Sequence, residues 1–159
     1  MHVQNGSVIG GDGVPNTASR GGGILNDSGG TTTLSGSTVS YNIANTSGGG
    51  IYNWATLEIQ AGSLISSNEA FGTEEEQGGG GIYNDDTMTA TRTTTSENRS
   101  SSDGGGIYLY EASPTLDNGT VSGNFASGGG GFYILGRDLS LDNSEIISNT
   151  ATGAGGGIL

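Results

Sequence analysis

Six carboxylates in the second half of the chain are the side chains best suited by type to do chemistry: Asp85, Asp86, Glu111, Asp117, Asp138 and Asp142. Two carboxylates that converge across a sugar bond hydrolyse glycosides, one as acid and the other as base or nucleophile. β-Elimination from a uronate would need a basic side chain and a cation instead. The chain has four arginines and no lysine, and its one histidine, His2, lies at the ragged start. A second set of residues is aromatic: Tyr52, Trp54, Tyr83, Tyr108, Tyr110 and Tyr133. A row of exposed rings suits sugar rings or a protein partner. Whether either set converges depends on the elements that hold it.

Those elements repeat. Glycine runs end at an apolar residue at Ile24, Ile51, Ile82, Ile107, Phe132 and Ile158, at intervals of 27, 31, 25, 25 and 26 residues. A second phrase, mostly Ser-x-Asn or x-Ser-Asn, ends at Asn42, Asn68, Asn98, Asn124 and Asn149, which lie 18, 17, 16, 17 and 17 residues after the preceding apolar landmark. A two-landmark period in the twenties marks a solenoid, whose units bury their apolar faces only against their neighbours. Within a unit the segments 50–53, 56–60 and 63–68 are short, alternate in polarity or carry β-branched residues, and are separated by turn formers. The expected fold is all-β: a right-handed, single-stranded parallel β-helix of about five to six coils of roughly 25 residues, with three short strands per coil. Each coil should rise roughly 4.8 Å.

A repeated position then becomes a ladder along the cylinder. Ile24, Ile51, Ile82, Ile107 and Phe132 form one apolar ladder. The second strand adds Leu34, Leu57, Ile59, Met88, Ala90, Leu116 and Leu141, and the third adds Val39, Ile65, Thr95, Val121 and Ile146. The Asn ladder at 42, 68, 98, 124 and 149 is structural: a carboxamide both donates and accepts, so stacked copies satisfy each other and nearby turn backbone. Asn also tolerates the left-handed conformation that a corner demands. The glycine runs are corners and not phosphate loops, because no helix and no Gly-Lys-Ser/Thr follows them.

The chain reads as one β-helix domain over 1–159, with an acidic loop insertion at 69–78. Coil three, with Met88, Ala90 and Thr95 in core positions, should be the softest. Solenoids need polar caps, and neither end of this sequence resembles one. The expectation is a segment of a longer solenoid, with end-to-end continuation into further coils.

Composition narrows the partners. Sixteen acidic residues against four basic ones give a net charge of -12, which repels phosphate backbones and anionic membrane surfaces and argues against nucleic acid. No apolar stretch is long enough for a membrane span, so this segment is expected not to insert, and no basic-then-apolar export signal is present in it. Cysteine is absent, so neither disulfides nor thiolate metal sites form.

The pairing of Gly48–Asn53 and Gly79–Asn84 (Gly-Gly-Gly-Ile-Tyr-Asn) with Val121–Ala126 and Ile147–Ala151 resembles the polymorphic outer membrane protein repeats. That family carries a Gly-Gly-Ala-Ile-like phrase and a Phe-x-x-Asn phrase, the second only approximated here by Tyr41-Asn42 and Phe125. The resemblance spans nearly the whole chain. It implies a right-handed β-helix passenger, secreted or displayed at a microbial cell surface and used in adhesion. The β-barrel of an autotransporter is missing from this sequence.

Placed on this frame, Asp117 and Asp142 each follow an inward leucine and should stack on the outer face about 5 Å apart. No arginine shares their register, so a solvated acidic face is the preferred reading over catalysis. Weak Ca2+ binding is the acid-dependent alternative, at Asp12 within Gly10-Gly11-Asp12-Gly13 or at Glu74-Glu75-Glu76; no cofactor is expected. If Ile points inward, the following residue points out, which makes Tyr52, Trp54, Tyr108 and Tyr110, with Tyr83 and Tyr133, an exposed aromatic strip. The opposite pleat would put the tyrosines in the core. An ice-binding face would need a regular Thr array; Thr31–Thr33 and Thr87, Thr89, Thr91 and Thr93 suggest one, but these positions do not repeat along the sequence. The functional expectation is a non-catalytic structural or adhesive scaffold of an extracellular or cell-surface protein, with a carbohydrate or protein surface as partner. A polysaccharide lyase- or hydrolase-like fragment is the first alternative and an ice-binding solenoid the second.

Overall fold

Among the described residues, successive strands do not pair with each other; each pairs in parallel with its counterpart one coil away, as a parallel β-helix requires. The computed structural model describes residues 1–74 and 77–159. Glu75 and Glu76 of the acidic insertion lie outside the described residues. The chain is all-β and winds through about five coils.

Among the described residues four sheets wall the cylinder, where three were expected. Sheet A stacks His2–Gln4, Thr31–Ser35, Thr56–Gln60, Met88–Thr91, Thr115–Asp117 and Ser140–Asp142. Sheet B stacks Val8–Ile9, Thr38–Ser40, Leu64–Ser66, Thr94–Ser96, Thr120–Ser122 and Glu145–Ile147. Sheet C holds Thr17–Arg20, Ile43–Ser47, Glu69–Ala70, Arg99–Ser100, Phe125–Ala126 and Thr150–Ala151, and sheet D holds Ile24–Asn26, Ile51–Asn53, Ile82–Asn84, Ile107–Tyr110 and Phe132–Leu135. Sheet C is the unexpected one. Most of its strands are two residues long, and its inward ladder is Ala18, Ala44, Ala70, Ser100, Ala126 and Ala151. Such short, small-residue strands carry no apolar alternation to announce them.

The expected core ladders form except at Leu141, which pairs with Leu116 in the last strand of sheet A but is 41% exposed, because no further coil is stacked on it. Ile24, Ile51, Ile82, Ile107 and Phe132 are paired in register, and Phe132 bridges on to Ile158. Leu34, Leu57, Ile59, Met88, Ala90, Leu116, Val39, Ile65 and Val121 join them in one buried cluster, with Ile146 packed against it. Stacking like side chains at one strand spacing removes their apolar surface from water on both sides.

The Asn ladder is longer than its sequence phrase, because Asn16 extends it. Nδ2 of Asn16, Asn42, Asn68, Asn98 and Asn124 donates to Oδ1 of the next Asn at 2.8, 3.0, 3.0, 3.0 and 2.9 Å. From Asn42 onward, each of these Oδ1 partners also receives the backbone N–H of the preceding Asn, at 2.9 Å. The second Nδ2 hydrogen reaches back to a sheet B carbonyl, as Asn98 does to Ile65 O at 3.0 Å. The left-handed corner expected of these asparagines falls one residue earlier, on Tyr41, Ser67, Glu97, Gly123 and Ser148, all with positive φ. The corner residue turns the chain so that the Asn side chain points in, where a ladder bond offsets the conformational strain.

The same ladder explains why the glycines come in threes. The first, as at Gly48, has φ +65. A Cβ on the second, Gly49, would sit 2.4 Å from the Glu69 carbonyl oxygen, and on the third, Gly50, 2.9 Å from Asn68 Nδ2. One run thus serves a turn, a close backbone approach to sheet C and a close approach to the ladder.

Candidate functional site

The alternation in sheet D does send the tyrosines away from the isoleucines, but it does not expose them. Tyr52, Tyr83 and Tyr108 are 6%, 5% and 2% exposed and form a second buried cluster, separate from the main core. Their rings stack at 4.7 and 5.1 Å, Tyr133 adds a fourth at 5.0 Å, and the interplanar angles are 2°, 10° and 17°. Near-parallel rings at this distance follow from the strand spacing. The chain entering each glycine run folds over them: Ser19, Arg20, Thr46, Ser47 and Gln77 line a groove beside Tyr52 and Tyr83, and Gly78 lies so close to Tyr108 that an added Cβ would come within 2.9 Å of its Cδ2. The Arg20 guanidinium caps the stack 5.0 Å above the Tyr52 ring and donates to its hydroxyl at 3.4 Å. The exposed strip expected from the sequence is therefore corrected to Trp54, 46% exposed, with Tyr110 and Tyr133 half-buried. Sequence alternation reports the direction of a side chain but not what a neighbouring segment lays over it.

Of the carboxylates, Asp117 and Asp142 are directly paired across neighbouring coils of sheet A. Asp117 is half-buried and takes a 2.6 Å bond from Asn118 Nδ2, while Asp142 is exposed. They share the outer-face column with Thr91 and no basic residue.

The convergence lies elsewhere, at the corner between sheets D and A. Asp85, Asp86 and Glu111 line an open groove of about 420 Å3 with Thr87, Ala112, Ser113 and Arg137. A second Asn ladder positions its floor: Asn26 donates to Asn53 and Asn53 to Asn84, both at 2.6 Å, and Asn84 Nδ2 holds the Asp86 carbonyl at 2.7 Å. The Asp86 carboxylate accepts the Thr87 N–H and hydroxyl at 2.6 and 3.1 Å. Arg137 was missed in the sequence because it sits on a corner loop of a different length, outside any repeat register. Asp138 is exposed beside it, and Asp12 is exposed in the first coil. No three His, Cys, Asp or Glu side chains cluster for a metal among the described residues.

Asp103 sits in the segment covering the tyrosines, bridged to Gly78 and Gly128. Burial raises its pKa above the usual aspartate value, and a backbone hydrogen bond from Gly128 pulls in the opposite direction.

Among the described residues, no helix is long and apolar enough to cross a membrane. No protein family, curated protein or solved structure matches the chain.

Proposed function

We propose that this β-helix is a non-catalytic structural and adhesive scaffold of a secreted or cell-surface microbial protein, built like the polymorphic outer membrane protein repeats it resembles. The observation that carries the reading is where the buried polar side chains go. The Asn ladders bond coil to coil, and no buried side-chain nitrogen or oxygen lacks a partner among the described residues. Polar groups committed to holding coils together favour a stalk over a reaction centre. Trp54 and half-buried Tyr110 supply an adhesive surface for carbohydrate or protein.

A second reading, a polysaccharide-degrading fragment, is favoured by the groove that joins Asp85, Asp86 and Glu111 to Arg137. One experiment separates the two: a glycan and polysaccharide binding screen with product analysis in the same wells. Binding without cleavage, lost on Trp54→Ala, is the expected result. Released oligosaccharides, abolished by Glu111→Gln, would replace the scaffold with an enzyme.

A further inference from the structure

The corner between sheets B and C is not the same in every coil. It takes two residues in the later coils, at 41–42, 67–68, 97–98, 123–124 and 148–149, but seven in the first, at 10–16. Such an insertion leaves the stacked core alone and adds a wall to one face of a solenoid, where binding surfaces form. Here the added loop is turned by a 3.1 Å bond from the Val14 N–H to the Gly11 carbonyl. It supplies Gly11, Gly13 and Pro15 to a groove of about 280 Å3, which Tyr41, Ile43, Ser67 and Glu69 complete from the next two coils.

Glu69 is the charged group in this groove. It lies in the outward column of sheet C, in register with Ile43 on one side and Arg99 on the other. Strand spacing puts the Arg99 backbone only about 4.8 Å away. Yet the Arg99 guanidinium lies over the Phe125 ring, 4.5 Å from its centroid. Among the described residues the half-buried Glu69 carboxylate has no hydrogen-bond or ion-pair partner. A carboxylate that gives up part of its water beside apolar walls gains from a cation that fits next to it. Those walls are Pro15, Ile43 and Tyr41, the last 42% exposed.

The groove is smaller than a drug-sized pocket and suits a single side chain. A lysine matches each part of it. The aliphatic stem packs on Pro15 and Ile43, and the ammonium meets the Tyr41 ring and pairs with Glu69. An ammonium has three N–H donors, and the half-buried Ser67 hydroxyl, which has no partner among the described residues, is a second acceptor. A guanidinium fork would need a wider, planar row of acceptors. The lysine cannot come from a second copy, because the chain has none. A net charge of -12, with Asp12 exposed on the added loop, draws in basic partners from a distance.

We propose that this groove captures a lysine side chain of a basic partner protein, with Glu69 as its counter-ion. The site is separate from Trp54 and from the corner groove at Arg137, so its success or failure does not depend on the adhesive reading.

The test is a titration of the whole chain, followed by backbone amide NMR shifts, with a capped peptide that carries one lysine and no other charge. Saturable shifts at Gly13, Tyr41, Ile43 and Glu69 are expected. Acetylating the lysine, or Glu69→Gln in the protein, should weaken binding by about tenfold or more with melting unchanged. Asp142→Asn, which removes the same charge from sheet A, should bind as wild type does. Equal losses in Glu69→Gln and Asp142→Asn would reduce the effect to diffuse attraction by an acidic surface and overturn the proposal. Undiminished binding of the acetylated peptide, or shifts confined to other faces, would do the same. Tighter binding of an arginine peptide, or binding of a free diamine where the lysine peptide fails, also overturns it and reassigns the groove to a guanidinium or a small amine.

Discussion

Gly50 lies directly against the carboxamide of Asn68: a Cβ added to the glycine would stand 2.9 Å from Asn68 Nδ2 and 2.8 Å from the Gly81 carbonyl oxygen. The two phrases that repeat along the sequence are thus two sides of one contact. The glycine makes room for the amide, and the amide ties its coil to the next at 3.0 Å.

That contact predicts unequal costs for glycine substitutions. Gly50→Ala must displace backbone on one side and a buried ladder amide on the other, with an expected loss of about 3 kcal/mol or more. Gly36→Ala has φ +55 and nothing within 4 Å of its added Cβ, so it should cost only about 1–2 kcal/mol of left-handed strain. Urea midpoints at constant m-value would check the difference; equal losses would mean that crowding is not what selects the third glycine.

The Asn ladder should be most sensitive at its middle. Asn98→Ala removes the bonds to Ile65 O and Asn124 and strips Asn68 of its acceptor. Several buried groups are left unpaired at about 1–3 kcal/mol each, so a loss of about 3–5 kcal/mol is expected. Asn45→Ala, at an exposed position in the neighbouring sheet, should stay within about 0.5 kcal/mol. Hydrogen exchange should also show faster opening around coil three in the Asn98 variant.

Tyr108 and Trp54 should separate stability from binding. Truncating Tyr108, 2% exposed within the ring stack, is expected to cost about 3–5 kcal/mol. Trp54→Ala, at a 46% exposed position, should change stability by less than about 1 kcal/mol while abolishing glycan or protein binding. Thermal melts paired with binding assays read both; a large stability loss at Trp54 would show that its ring packs rather than binds.

Asp103 gives the pH dependence a definite sign. Its folded pKa is raised above the unfolded value by burial, so the native state binds the proton more tightly than the unfolded state does. Its contribution to stability is fully present below the usual aspartate range and is lost as pH rises through the elevated folded value. Asp103→Asn keeps an acceptor for the Gly128 N–H and removes a partly buried charge, so it should stabilise the protein modestly at neutral pH and flatten this segment of the stability–pH curve. An unchanged curve would show that Asp103 does not contribute to it.

The sequence by itself determined the architecture. Isoleucines after glycine runs and asparagines at a steady offset can keep phase only if each coil stacks on the last, so the parallel β-helix, its apolar ladders and the ladder from Asn42 to Asn149 were all legible. Local periodicity could not reveal the fourth sheet, since strands as short as Glu69–Ala70 leave no pattern, nor that the corner strain falls on Ser67 and not on Asn68. Contacts between segments distant in the chain were beyond it as well. The cover over Tyr52, Tyr83 and Tyr108, the groove that Arg137 shares with Asp85, Asp86 and Glu111, and the registered hydroxyls of sheet B were decided by tertiary structure alone. The reason is geometric: pleat and period set the direction of a side chain, but corner loops of unequal length set which side chains from different coils meet.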